Sequence, residues 1–201
     1  KNLGHDLDAI SSAIASDTAL IYIANPNNPT GTHLAAGEIE KFLASVPERV
    51  VVVIDEAYNE YLPPELRFES VQWVRRYSNV LVSRTFSKAY GLAGLRVGYG
   101  VAQPELTDLL NRVRQPFNVN TAAQAAAVAA LNDAEFLEES YLLNRSGMQQ
   151  LNDAFRTLGL EYEPSFGNFV LVKLGDASRM YQELLKRGVI VRPVANYGLP
   201  E

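Results

Sequence analysis

The 201-residue chain contains no cysteine. This excludes a disulfide framework, thiolate metal sites and a cysteine nucleophile together, and it fits a reducing, cytoplasmic setting. Histidine is nearly as scarce: His5 and His33 are the two present, too far apart for ligand spacing, so a histidine-built metal site is not expected. Positive charge is also in short supply. Eighteen Lys and Arg stand against 23 Asp and Glu, a net charge of −5 that offers no footprint for nucleic acid or an anionic membrane. The longest strongly apolar run, Val50 to Ile54, is far shorter than a bilayer is thick, and the first residues lack a signal peptide's apolar region. The chain starts at Lys1 and stops at the turn-like Leu199-Pro200-Glu201, so both ends read as cut.

What remains is a globular composition, 47% hydrophobic and 20% charged. At roughly 150 residues per domain the length allows one or two domains. The first half alternates strand and helix signals, the pattern of crossover units on a largely parallel sheet. Ala19 to Ala24, Val50 to Ile54, Asn79 to Ser83 and Arg96 to Val101 are the strand candidates, and Val50 to Ile54, apolar throughout, suits a strand buried on both faces. Ile39, Phe42, Leu43 and Val46 fall at helical spacing, as do Leu106, Leu109, Leu110 and Val113. The alanine-rich Thr121 to Leu131 reads as a tightly packed helix. A long helix is expected from Ala134 to Leu158, its apolar stripe broken only by Asn144 and its end marked by Gly159. Beyond it, a strand at Asn168 to Leu174, a helix at Ala177 to Arg187 and a strand at Val189 to Arg192 suggest a compact α+β unit. The expected division is 1–145, a large domain incomplete on its N-terminal side, and 146–201, a smaller domain, with the boundary inside the long helix.

Three segments carry possible chemistry. Asn25-Pro26-Asn27-Asn28-Pro29-Thr30-Gly31 follows the first strand. It reads equally as a double turn and as a loop that fixes the Asn28 amide in a ligand cleft, because open α/β sheets bind ligands at strand ends. Asp55-Glu56-Ala57-Tyr58 ends the second strand. A carboxylate beside a buried run must cap a helix or meet a cation, so Asp55 either caps or pairs with a protonated ring nitrogen, with the Tyr58 phenol close by. In Ser83 to Gly98, Thr85 and Ser87 precede Lys88, and Arg96 lies eight residues on. Hydroxyls with a guanidinium fork suit a phosphate monoester, and a lysine beside that phosphate could form an imine if its pKa falls from about 10.4 toward neutrality. The spacing is not that of a nucleotide P-loop.

In this order, Asn28-Pro29-Thr30-Gly31, Asp55 with Tyr58, Ser87-Lys88 and Arg96 resemble the fold-type I pyridoxal-phosphate aminotransferases. Within them, Arg114 to Asn120, Asn168 to Leu171 and Gly188 to Pro193 resemble the histidinol-phosphate aminotransferase family, over essentially the whole chain. The resemblance implies an α/β fold, part of a large domain with a mostly parallel sheet flanked by helices, plus a smaller α+β C-terminal domain. It implies pyridoxal 5′-phosphate as cofactor, held covalently by Lys88, which also shuttles a proton. Asp55 would pair with the ring nitrogen, Asn28 and Tyr58 with the ring oxygen, and Thr85, Ser87 and Arg96 with the phosphate. Asn120 and Arg192 resemble positions near the substrate, although a turn amide and a surface arginine account for them as well. The implied reaction moves an amino group from L-histidinol phosphate to 2-oxoglutarate, giving imidazole acetol phosphate and glutamate in histidine biosynthesis. Another class I/II aminotransferase, a threonine-phosphate decarboxylase, or a non-catalytic sensor domain of a transcriptional regulator would share these residues. The resemblance also implies a homodimer acting on small molecules, with a ring-stacking aromatic ahead of residue 1 and a carboxylate-binding arginine after residue 201. On this reading the chain is an internal piece of a longer enzyme.

Overall fold

The computed structural model describes residues 3–200. Four strands form one sheet in the order β1 (Leu20–Ala24), β2 (Val51–Asp55), β3 (Val80–Thr85) and β4 (Gly98–Val101). The first three pair in parallel, and β4 returns antiparallel to β3. Two crossovers join the parallel strands: the first contains α2 (Ala36–Leu43), the second α3 (Val71–Arg76). Crossovers of one hand that advance in one direction lay their helices on one sheet face. The core shows this: Ile39, Phe42 and Leu43 from α2 and Trp73 and Val74 from α3 pack with Ile21, Ile23, Val52, Ile54, Val80 and Val82. Burying each such side chain contributes roughly 1.5–3 kcal/mol, so this face anchors the fold.

Successive side chains on a strand alternate between faces. The opposite face therefore carries Leu20, Tyr22, Val53, Asp55, Ser83 and Thr85, with Gly98 opposite Thr85. It stays open at the β1 edge, where Leu20 is 56% and Tyr22 55% exposed. Here β2 differs from its expected burial on both faces: Val51, Val53 and Asp55 are half-buried while Val52 and Ile54 are buried.

The helix signals are reproduced as α4 (Pro104–Val113), α5 (Thr121–Leu131), α6 (Ala134–Thr157) and α7 (Ala177–Lys186). Ala123 and Ala127 of α5 pack on Phe86 and Val97, where small side chains allow a close approach. Helix α6 runs unbroken past residue 145, and Asn144, the break in its apolar stripe, lies on the packed side and donates to the Gly167 carbonyl at 3.2 Å. The short α1 (Leu7–Ser12) and α3 have no sequence counterpart, since six residues are too few to display a helical period.

Three expectations are corrected. Asn168 to Leu174 is not a strand but contributes a single antiparallel bridge, Tyr162 to Val172. Val189 to Arg192 has no regular structure, although its β-branched residues favour strands, because Val189, Ile190 and Val191 are exposed and have no paired neighbour among the described residues. The fourth strand starts at Gly98 rather than Arg96, because Arg96 turns left-handed at φ 53°.

Candidate functional site

The C-terminal ends of β1, β2 and β3 bring the three singled-out segments side by side. After β1 the Asn25 side chain acts like a strand neighbour, donating to the Leu34 carbonyl at 3.1 Å and accepting from the Leu34 N–H at 2.7 Å. The Asn27 carbonyl accepts from Gly31 N–H at 2.7 Å, closing the loop. Gly31 needs its missing side chain twice over: its φ is +75°, and a Cβ would stand 2.2 Å from the Ser165 Oγ. This approach lets the Gly31 carbonyl accept from Phe166 N–H at 2.8 Å, so the segment after α6 is drawn onto the loop.

The loop presents Asn28, exposed, with its amide donating to the Tyr58 hydroxyl at 2.7 Å. Tyr58 is buried where the chain turns after β2, and the Phe169 ring meets it edge-on at 5.1 Å. Lys88 is exposed in the β3–β4 loop and holds its ammonium 5.3 Å from the centre of the same ring. The turn that follows, closed by Gly91 N–H to the Lys88 carbonyl at 2.9 Å with Gly91 at φ +70°, bends the chain away and leaves the lysine at the strand end.

Asp55 closes β2 on the open face. Among the described residues its oxygens are met by the Ala57 N–H at 3.1 Å and by a short bond from the Tyr22 hydroxyl. Burial and this carboxylate hold the Tyr22 phenol well above its ordinary range. Thr85 accepts from Ser87 N–H at 3.1 Å, which sets both hydroxyl residues in one tight turn. Arg96 is exposed, its guanidinium donating to the Ala93 carbonyl of its own turn at 2.9 Å.

The two candidates near the substrate fall differently. Asn120 caps α5, accepting from Ala123 N–H at 2.8 Å, as a turn amide does. Arg192 is exposed in an irregular stretch. Tyr22 carries no sequence signal, and alternation puts it on the face of Asp55 only once the strand register is known; Phe169, Glu56 and Arg84 sit within the motifs above, but nothing local announces their contacts.

The contacts join an amide, a phenol and a lysine from three different segments at the strand ends, with the half-buried Asp55 carboxylate closing β2 and the Thr85–Ser87 turn following β3. Among the described residues there is no cluster of metal-binding side chains, and no helix is long and apolar enough to cross a membrane.

The mainly parallel α/β sheet matches that of pyridoxal-phosphate-dependent aminotransferase structures, and the family model "Aminotransferase class I and II" matches residues 1–201. The chain belongs to that family. Among curated proteins it is 66% identical to histidinol-phosphate aminotransferase 2 of Ralstonia nicotianae, over all of this chain and 55% of that protein. It is also 66% identical to histidinol-phosphate aminotransferase 1 of Cupriavidus pinatubonensis, over all of this chain and 54% of that protein. The chain thus spans about half the length of these relatives. Among solved structures, histidinol-phosphate aminotransferase from Sinorhizobium meliloti in complex with pyridoxal-5′-phosphate superposes at a TM-score of 0.88 with 34% identity, covering 94% of this chain and 53% of that one.

Proposed function

We propose that the protein containing this chain is a pyridoxal-phosphate-dependent aminotransferase that transfers the amino group of L-histidinol phosphate to 2-oxoglutarate in histidine biosynthesis. The observation that carries the reading is Lys88, whose ammonium stands at the strand ends over a tyrosine that Asn28 holds from the neighbouring loop. The names of the relatives support the substrate.

When bound, pyridoxal phosphate supplies an electron-poor ring that accepts the electron pair released at a substrate carbon. Asp55 would keep a proton on the ring nitrogen, its carboxylate held in place by the Ala57 N–H. Because the Tyr58 oxygen accepts from Asn28, its own proton is free to point at the ring oxygen. Thr85, Ser87 and Arg96 would hold the phosphate with hydroxyls and a guanidinium. Lys88 would hold the cofactor through its amine and, once free, would serve as the proton-carrying group beside the substrate. Asn120 and Arg192 lie nearer the substrate on this reading. Division at about residue 145, into a cofactor-binding part and a smaller part, is included in the proposal. So is a cytoplasmic homodimer.

The test is borohydride reduction of the intact protein with bound pyridoxal phosphate, followed by peptide mass mapping. The fixed cofactor is expected on Lys88, and a label elsewhere refutes the site. Turnover with L-histidinol phosphate and 2-oxoglutarate tests the substrate. Carbon dioxide from O-phosphothreonine in its place would identify the decarboxylase, and bound cofactor with no turnover would identify a sensor.

A further inference from the structure

Directly behind the candidate site, on the closed face of the sheet, lies a polar cluster that the proposed chemistry does not use. Arg84 donates through Nε to Glu56 Oε2 at 2.8 Å, Ser70 donates through Oγ to the same oxygen at 2.8 Å, and Arg84 Nη2 reaches Ser70 Oγ at 3.2 Å. The two charged side chains are 7% and 18% exposed, and Arg84 pairs with Tyr99 of β4 in the strand register. The cluster therefore joins the ends of β2 and β3 to the start of α3 and to β4.

We propose that the Glu56–Arg84 ion pair is a positioning device for the cofactor site, setting from the closed face the spacing between Asp55 and the Thr85–Lys88 turn. Each member is the chain neighbour of a site residue: Glu56 follows Asp55, and Arg84 precedes Thr85. Alternation turns each pair of neighbours to opposite faces, so a bond made behind the sheet fixes the positions of the groups in front of it. The backbone adds one bond at the same level, Glu56 N–H to the Ser83 carbonyl at 2.9 Å. Stability alone is a poor reason for this pair. Burial pushes the Glu56 carboxyl up in spite of Arg84 and Ser70, and apolar residues of similar volume commonly replace a buried ion pair without loss. Geometry is the better reason, because a rigid ligand gripped at its ring nitrogen and its phosphate needs holders at a fixed separation, to within about 0.5 Å.

The inference rests on the cofactor reading above, so the experiment begins with the unchanged full-length protein: pyridoxal phosphate must bind and be reducible onto Lys88. Failure there overturns both the reading and this inference, whereas the variants test the inference alone. The double variant Glu56→Gln with Arg84→Gln removes both charges and leaves polar groups that can pair. It is expected to melt within a few degrees of the parent, to raise the dissociation constant for pyridoxal phosphate about tenfold or more, and to displace the pH midpoint of the bound cofactor's visible band. Arg84→Lys keeps the charge but loses the fork, and should fall between the two. It also gives the result by itself if the double variant does not fold. A dissociation constant and a band midpoint equal to the parent's, with or without lowered melting, would show a structural pair and overturn the proposal.

Discussion

Asn28 donates its side-chain amide to the Tyr58 hydroxyl at 2.7 Å, and this bond between residues 30 positions apart ties the loop after β1 to the turn after β2. Tyr58→Phe removes the acceptor while leaving the ring against Phe169. The loss is expected to be about 0.5–1.5 kcal/mol by urea unfolding, at the modest end because exposed Asn28 can turn to water. On the proposed function the same variant also shifts the visible band of bound pyridoxal phosphate, since a donor to the ring oxygen is gone.

Lys88 is exposed and packs only its ammonium over Tyr58, so Lys88→Ala should fold as the parent does. On the proposed function, reversible cofactor binding should survive through Asp55, Asn28 and the Thr85–Ser87 turn, while borohydride fixes nothing and turnover falls by a factor on the order of 10² to 10⁴. Equilibrium dialysis and a turnover assay check the two halves separately.

Gly31→Ala places a methyl group 2.2 Å from Ser165 Oγ and 2.8 Å from its Cα, at φ +75°. The left-handed backbone alone costs about 1 kcal/mol or more in a non-glycine residue, and Ser165 must also move with its backbone. A loss of about 2 kcal/mol or more is expected in denaturant titrations. The altered loop should also weaken the Asn28 contact, visible as weaker cofactor binding.

His33 meets the Phe166 ring at a tilt, 5.3 Å between ring centres, and burial lowers its pKa below the ordinary value, only partly opposed by Glu38. A histidine with a depressed folded-state pKa adds stability that is present above its unfolded pKa, about 6.5, and is lost as pH falls through the folded value. Stability should therefore decline on acidification below about pH 6.5, and His33→Gln should flatten that part of the profile. Urea unfolding at stepped pH values measures it.

Most of the architecture was legible in the sequence because its signals are local. Ile39, Phe42, Leu43 and Val46 announced the helical face that the structure buries, and the β-branched runs announced four strands within two residues of their ends. Asn25 to Gly31, Asp55 and Lys88 stood out because turn residues, a carboxylate and a lysine beside apolar strands demand explanation. Where the signal misled, it was propensity without a partner: Val189 to Val191 look like a strand, but a strand needs a neighbour to pair with.

The sequence by itself determined the class of fold, the candidate groups and their placement at strand ends, since period, turn chemistry and burial cost are properties of nearest neighbours along the chain. Tertiary structure alone decided which groups meet. The strand register brought Tyr22 to Asp55, the approach allowed by Gly31 seated Ser165 and Phe166, and the sheet's two faces set Glu56 and Arg84 behind the residues they adjoin. Those contacts join residues distant in sequence, and only the paired backbone fixes how far apart they lie.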